Sequence, residues 1–143
     1  MPKSEVAKLI ALIIKSKRLI QERVRGIEKA GSFSLSQMEI LGYVAENKQP
    51  LMKDVADFLN ITPPSATALI DSLVSQGYLK RMPDKNDRRI IRLTETLKGK
   101  KTLRQGMILM KKGMKEIFSK LSKNEINNLI AIHGKLAKIL QKK

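Results

Sequence analysis

The sequence predicts a mostly α-helical protein with one small β-hairpin, an α+β fold class, and three observations support this. Long stretches carry apolar residues every three or four positions, which is the repeat of helices with one apolar face. Two short strand candidates, residues 78–82 and 90–93, flank a polar turn at 83–89. A short helix directly precedes this hairpin, and that order is typical of a winged helix-turn-helix.

The helix before the hairpin, residues 62–76, is the best marked element of the chain. Thr62 is a good N-cap, and Pro63 suits the first helical position, where no backbone N–H is needed. Gly77 is a signal for the end of the helix. One face is apolar, formed by Ala66, Leu69, Ile70 and Leu73.

Two further short helices precede it in the central segment. Ser34 with Gln37 and Ser36 with Glu39 offer two overlapping capping boxes for the first of them. Residues 53–59 form the second, which lacks a strong N-cap. Together with the 62–76 helix and the hairpin they define a DNA-binding domain at residues 34–96.

The composition of the chain points to a polyanionic partner. The 143 residues include 29 Lys and Arg but only 13 Asp and Glu, a formal net charge of +16. Such an excess favours nucleic acid, and less often an anionic membrane surface. The chain has no cysteine, which excludes disulfides, thiolate metal sites and cysteine-based oxidation sensing. It also has no signal-peptide pattern and no apolar run near the ~20 residues of a membrane helix. We therefore expect a cytoplasmic, nucleoid-associated protein without a membrane partner.

Long helices are predicted on both sides of the central domain. The N-terminal segment 1–33 contains a helix at 4–29 that Ser4 could cap, and the C-terminal segment 97–143 contains helices at 97–121 and after Ser122. Three glycines weaken the 97–121 helix, so bends are expected there. An ordinary amphipathic helix is the alternative interpretation of 4–29. The apolar stripes nevertheless exceed what a small winged-helix core can cover, which predicts a homodimer. The predicted dimerisation residues are Leu9, Ile10, Ile13, Ile117, Leu121, Ile126, Leu129, Ile130, Leu136 and Leu140.

One run of residues carries a specific family resemblance. Asp87-Arg88-Arg89 is followed by Leu93-Thr94 and Gly99, and this wing signature resembles the MarR family of transcription regulators. The family usually has Leu-Thr at the position of Glu95-Thr96, so either the wing is shorter here or the next helix begins earlier. Other matching residues cover nearly the whole chain: Leu35, Gln37, Leu41, Val55, Ala56, Leu59, Thr67, Leu69, Ile70, Asp71, Leu73, Gly77, Tyr78, Leu79, Arg81 and Asp84.

The resemblance and the residues together predict a sequence-specific regulator, a repressor that binds palindromic duplex DNA as a homodimer. The resemblance alone implies release by a small-molecule effector, because no residue in the chain identifies such a ligand. The exposed face of the 62–76 helix has only small side chains, so wing and shape readout should matter more than bidentate base contacts. The predicted DNA-binding residues are Pro64, Ser65, Thr67, Ala68, Ser72, Lys80, Arg81, Lys85, Arg88 and Arg89.

The wing at 83–89 is predicted to enter the minor groove. A guanidinium suits the narrow, negative minor groove of A·T-rich DNA, and either Arg88 or Arg89 could supply it. Asp84 or Asp87 could orient one of these arginines, and Asp71 could hold another from the helix side. Arg92 is a further candidate for a phosphate contact.

Two other classes of function fit the sequence less well than a DNA-binding regulator. An enzyme is disfavoured, because the lone His133 lies on an apolar helix face and the acidic residues show no metal-ligand spacing. We therefore predict no catalytic residues, no metal site and no cofactor. A non-specific architectural DNA- or RNA-binding protein would suit the charge of +16, although an aromatic content of 3% argues against base-stacking RNA modules.

Overall fold

The computed structural model describes residues 3–31 and 33–141 and confirms the mostly helical fold class with a small wing. Of the predicted solvated tail 141–143, only Gln141 lies within the described residues. Within these residues, no helix is both long and apolar enough to cross a membrane. The elements are α1 (Lys3–Gly31), α2 (Leu35–Glu46), α3 (Met52–Leu59), α4 (Pro63–Ser75), β1 (Leu79–Pro83), β2 (Ile91–Glu95), α5 (Leu97–Phe118) and α6 (Lys123–Gln141).

The hydrophobic core lies in the winged domain and not in the long terminal helices. It is formed where α2, α3, α4 and the hairpin meet, and its side chains are at most 4% exposed. In contrast, α6 has no buried residue within its described length. The core side chains are Ile40, Leu41, Val44, Val55, Ile70, Leu73, Leu79 and Leu93.

Local capping explains where α2 and α4 begin. Ser34 and Gln37 form the predicted capping box in both directions, whereas Ser36 lies inside the helix and caps nothing. Thr62 caps α4 by accepting a hydrogen bond from the backbone N–H of Ser65 at 3.4 Å. The polar side chains thus satisfy amide groups that have no partner in the first turn of a helix.

The hairpin is shifted by one or two residues from its predicted position. Leu79 pairs with Glu95 across the two strands, and Pro83 pairs with Ile91. The register turns Leu79 and Leu93 into the core, so burial fixes which face points inward. The predicted strand at 90–93 was therefore too early, because residue 90 still belongs to the turn.

Thr96 shows where the wing ends and the next helix begins. Its hydroxyl oxygen accepts from the N–H of Gly99 at 3.0 Å and caps α5, which begins at residue 97, as predicted for this helix. The same hydroxyl donates to the carbonyl oxygen of Gly77 at 2.6 Å. The helix after the wing therefore does not begin early, and Thr94 remains a strand residue paired with Lys80.

The glycines of α5 mark close contacts with neighbouring elements. They recur every seven residues, at 99, 106 and 113, within one continuous helix. A Cβ added to Gly99 would lie 2.1 Å from the backbone oxygen of Tyr78, and one at Gly106 would lie 2.5 Å from the sulfur of Met38. Small residues thus allow α5 to approach the hairpin, α2 and α1 at close range.

Two helix boundaries differ from the prediction. The first long helix already includes Lys3 and continues to Gly31, so Ser4 lies inside it and is not its cap. The helix predicted at 97–121 ends at Phe118. Leu121 lies in the bend before α6, because backbone N–H groups at 119–121 bond to carbonyls three or four residues earlier and close the turn.

Candidate nucleic-acid interface

The outer face of α4 carries all the residues predicted to read DNA from this helix. The inner face is fixed by the burial of Ala66, Ile70 and Leu73 in the core. The opposite face is open to solvent and has only small side chains, so a DNA backbone or base edge could approach it closely. The exposed residues are Pro64, Ser65, Thr67, Ala68 and Ser72.

The hydroxyl groups on this face are already partly engaged within the helix. Thr67 donates its proton to the carbonyl oxygen of Pro63 at 2.9 Å, so its oxygen can only accept from a further partner. Ser65 accepts from the hydroxyl of Thr62 at 3.0 Å, which leaves its own proton available for donation. Ser65 therefore suits a base or phosphate acceptor, whereas Thr67 suits an amino donor or a thymine methyl group.

An ion pair joins the exposed face of α4 to the hairpin. The carboxylate of Asp71 accepts a hydrogen bond from the guanidinium of Arg81 on β1. Asp71 is thus positioned as the helix-side partner of an arginine, as the sequence suggested. Arg81 remains a predicted DNA-binding residue, although its positive charge is offset by this carboxylate.

Asp84 organises the turn of the wing. One oxygen of its carboxylate accepts from the backbone N–H groups of Asn86 and Asp87, at 3.0 and 3.1 Å. The other oxygen accepts from Nε of Arg92, and Nη1 of the same guanidinium donates to the carbonyl oxygen of Gln49 at 2.9 Å. The bond from Arg92 and these backbone bonds lower the pKa of Asp84, so the carboxylate stays charged at neutral pH.

Arg92 is therefore held inside the domain, where it ties the wing to the segment after α2. Its side chain is about one-third exposed. This contact is different from the phosphate contact that the sequence suggested for Arg92. It also means that Asp84 orients Arg92 and neither arginine of the wing tip.

The two arginines of the wing tip have different surroundings. Arg89 donates from Nε and Nη2 to the two carboxylate oxygens of Asp87, both at 3.1 Å. This side-chain bond is the main cause of a lowered pKa at Asp87, and the backbone N–H of Arg89 adds to it. Arg88 is exposed, and no acidic group of the described chain lies within 4.0 Å of it. Of the two, Arg88 has the guanidinium without a competing carboxylate.

The other predicted phosphate contacts, Lys80 and Lys85, are exposed on the hairpin. Like Arg88, they form no ion pair within the described residues. The winged domain thus presents three cations without acidic partners around β1 and the wing. This arrangement can hold phosphates on both sides of an inserted wing.

The residues predicted for dimerisation are largely uncovered in the single chain. Eight of them are exposed, with Ile130 at 67% and Leu140 at 77%, while Leu121 and Ile126 are half-buried. The helices α1 and α5 are joined where Arg23 donates twice to the carbonyl oxygen of Gly113, at 3.1 and 2.9 Å. Exposed apolar side chains therefore remain on α1, α5 and α6 of one chain.

The sequence and the structure are both similar to known proteins. The model of the MarR family matches residues 32–90. Among solved structures, the transcriptional regulator BldR from Sulfolobus solfataricus is 26% identical, with a TM-score of 0.76 over 96% of this chain and 99% of its own. No curated protein matches the sequence significantly.

Two further solved structures share the fold with ligands bound. A mutant of MarR from E. coli, complexed with operator DNA, is 21% identical, with a TM-score of 0.74 over 90% of this chain and 95% of its own. Staphylococcus aureus MarR, in complex with salicylate and kanamycin, is 17% identical, with a TM-score of 0.84 over 99% of this chain and 95% of its own. Residues 32–90 thus match the MarR family model, and the chain shares the winged helix-turn-helix fold of MarR-family transcription regulators.

Proposed function

We propose that the protein is a homodimeric repressor that binds palindromic sites in double-stranded DNA. In this proposal, the exposed face of α4 lies in the major groove and the wing enters the minor groove. One observation carries it: α4 exposes small polar residues on the face opposite its buried one, beside a wing with the free guanidinium of Arg88. The similar fold of E. coli MarR, solved with operator DNA, supports double-stranded DNA as the partner.

The homodimer is supported by the apolar surface that a single chain leaves exposed. A second copy that covers α1, α5 and α6 would remove Leu9, Ile13 and Ile130 from water, which is the main favourable contribution to association. Two α4 helices related by a two-fold axis would then fit major grooves ~34 Å apart, one turn of B-DNA. This symmetry is the reason for proposing palindromic sites, and DNA as the partner is the reason for proposing association with the nucleoid.

Release by a small-molecule effector is part of the proposal because of the family fold. Staphylococcus aureus MarR was solved with salicylate and kanamycin, two chemically different ligands. A displacement assay with operator-bound protein and a panel of aromatic acids and aminoglycosides tests this part. Unchanged DNA affinity across the panel would remove the effector from the proposed function.

A competition experiment tests the proposed reading of sequence. The bound sites are first selected from random duplexes, and the affinity for the best site is then compared with that for a scrambled duplex at fixed salt. A specific regulator should prefer its site by roughly 10³ or more. Equal affinity for both duplexes would favour the alternative function, a non-specific architectural protein.

The α4 helix and the hairpin should contribute to binding in different ways. We expect Thr67→Ala to lower the ratio of the affinity for the operator to the affinity for a scrambled duplex, because Thr67 faces outward near the start of α4. Lys80→Ala should weaken both duplexes equally and reduce the log–log salt slope by ~1. Binding isotherms at three salt concentrations measure both effects. If Thr67→Ala weakens the two duplexes alike, α4 contacts only phosphates.

The two wing arginines should differ in importance. Arg88→Ala is expected to cost roughly 1–3 kcal/mol of operator binding per subunit, and more on A·T-rich than on G·C-rich flanks. Arg89→Ala should cost less, because the guanidinium of Arg89 is bonded to Asp87. Lys138→Ala, on the exposed surface of α6, is the control for the loss of one charge. An Arg88→Ala protein that binds as well as this control would show that the wing does not read DNA.

A further inference from the structure

The net positive charge of the chain comes from residues outside its winged domain. Residues 34–96 contain eight basic and eight acidic residues, so the proposed reading domain has no net charge. Residues 1–33 have eight basic and three acidic residues, a net +5, and residues 97–143 have 13 basic and two acidic residues, a net +11. The excess that indicates a polyanionic partner is therefore on the long helices, mainly after residue 97.

The most regular part of this charge is a row of four cations on α5, which we name the α5 basic stripe. Its members follow one another at intervals of four, seven and four residues, which places them on one side of the helix. At 1.5 Å per residue the row is about 22 Å long. It consists of Lys100, Arg104, Lys111 and Lys115, all exposed.

The α5 basic stripe lies on a different side of α5 from the glycines that contact the winged domain. Residues of an α-helix are separated by about 100° around its axis, so Lys111 lies about 140° from Gly106. Gly106 is on the side of α5 that contacts Met38 of α2, as Gly99 contacts Tyr78 in the turn before β1. The cations are thus away from the glycine contacts, and three of them border a groove that Ala45 of α2 and Glu95 of β2 also line.

The cations of the stripe have no ion-pair partner in the described chain. None of the four has a carboxylate within 4.0 Å, and the one acid of α5, Glu116, pairs with Arg23 of α1 at 3.1 Å. One acidic residue, Glu95, lies near the stripe. It lies with Lys100, Arg104 and Lys111 along a groove of about 480 Å³, and one of its carboxylate oxygens is buried without a hydrogen-bond partner. The groove still has three positive charges against one negative.

We propose that the α5 basic stripe is a second DNA-binding surface, one that holds the phosphate backbone of a duplex without reading its sequence. The inference rests on the proposed function in taking DNA as the partner. A reading domain without net charge attracts DNA weakly at long range, and cations elsewhere on the chain would supply that attraction. A strand of B-DNA has a phosphate every 3.4 Å along the axis, so a row of about 22 Å spans roughly six phosphates.

Two variants with the same net charge test the proposal. Each loses four positive charges by substitution to glutamine, and all substituted residues are exposed. The control substitutions lie between Ser119 and the end of α6. The stripe variant is Lys100→Gln, Arg104→Gln, Lys111→Gln and Lys115→Gln; the control variant is Lys120→Gln, Lys123→Gln, Lys135→Gln and Lys138→Gln.

The measurement is fluorescence anisotropy of a scrambled duplex at several salt concentrations, with circular dichroism to verify folding. Each phosphate contact adds about 0.9 to the log–log salt slope, so the stripe variant should reduce the slope by roughly 3 to 4 for each subunit engaged. The control variant should change it by less than about 1. Equal effects of the two variants would overturn the proposal, because only total charge would then matter.

Two further readouts separate charge from structure and duplex from other partners. Changing Lys100, Lys111 and Lys115 to arginine keeps the charge and should keep the slope, whereas a loss of slope would point to a structural role and overturn the proposal. Stripe-dependent binding that is tighter to single-stranded RNA or to phosphatidylglycerol vesicles than to duplex would overturn the choice of DNA.

The ratio of operator to scrambled affinity distinguishes a failure of this inference from a failure of the proposed function. The stripe variant should keep this ratio while binding both duplexes more weakly, since phosphate contacts carry no sequence information. A wild-type protein without any operator preference would contradict the proposed regulator, yet the difference in salt slope would still test the stripe.

Discussion

Ile130→Glu is expected to produce a folded monomer that binds operator DNA roughly 10²–10⁴ times more weakly than the wild type, because bivalent attachment is lost. Ile130 is 67% exposed in the single chain, so the substitution should not disturb the fold of the protomer. In the proposed dimer it would bury a carboxylate without a partner in each subunit, at a cost of roughly 3–5 kcal/mol each. Sedimentation velocity at micromolar concentration measures the assembly, and anisotropy measures the DNA affinity.

Asn128→Glu is the matched control for this experiment. It introduces the same charge on the same helix, but about 160° away from Ile130 around its axis. The control should remain a dimer with nearly unchanged DNA binding. A wild-type protein that sediments as a stable monomer of 16.1 kDa, or an Ile130→Glu protein that stays dimeric, would contradict the proposed interface.

Gly99→Ala is expected to destabilise the fold by roughly 1–3 kcal/mol or more, as overpacking in a dense interior does. The added methyl carbon would lie 2.1 Å from the backbone oxygen of Tyr78, and a backbone atom cannot rotate away as a side chain can. The start of α5 would have to separate from the turn that precedes β1. Equilibrium unfolding in urea, followed by circular dichroism, gives the change in free energy of unfolding.

The control for this prediction is Gly26→Ala in α1. No atom lies within 4 Å of a Cβ added at Gly26, so helix propensity alone decides the result and favours alanine by ~1 kcal/mol. The two substitutions should therefore change stability in opposite directions. Equal effects would mean that α5 does not contact the hairpin as closely as the structure indicates.

Signals that act over a few residues made much of the fold predictable. Thr62 with Pro63, and Ser34 with Gln37, satisfy backbone groups within one helical turn, so a short sequence window is enough to recognise them. The outer face of α4 followed from the spacing of its apolar residues in the same way. The end of α5 was not visible in the sequence, because the apolar repeat continues to Leu121 after the helix has ended.

The partners of the acidic residues could be predicted only in part. Asp87 bonds to Arg89 two residues away, so its role as a candidate support was within reach of the sequence. The bond from Arg92 to the carbonyl oxygen of Gln49 joins residues 43 positions apart, and charge alone does not choose Arg92 over Arg88 as the partner of Asp84. The three glycines of α5 were read as weak points because helix propensity takes no account of a neighbouring backbone.

The hydroxyl of Thr96 has a mechanical consequence for the molecule. It bonds to Gly77 after α4 and to Gly99 within α5 and so connects the end of one helix to the start of the other, and Lys98 adds a bond to the carbonyl of Gln76 at 2.7 Å. The 22 residues of α5 then form a stiff arm about 33 Å long. If α5 rotates by about 5° around its C-terminal end, its N-terminal end and the attached α4 move by about 3 Å. This displacement is close to the 3.4 Å rise of one base pair. Any event that slightly tilts this arm would therefore move the two α4 helices of a dimer out of phase with the DNA.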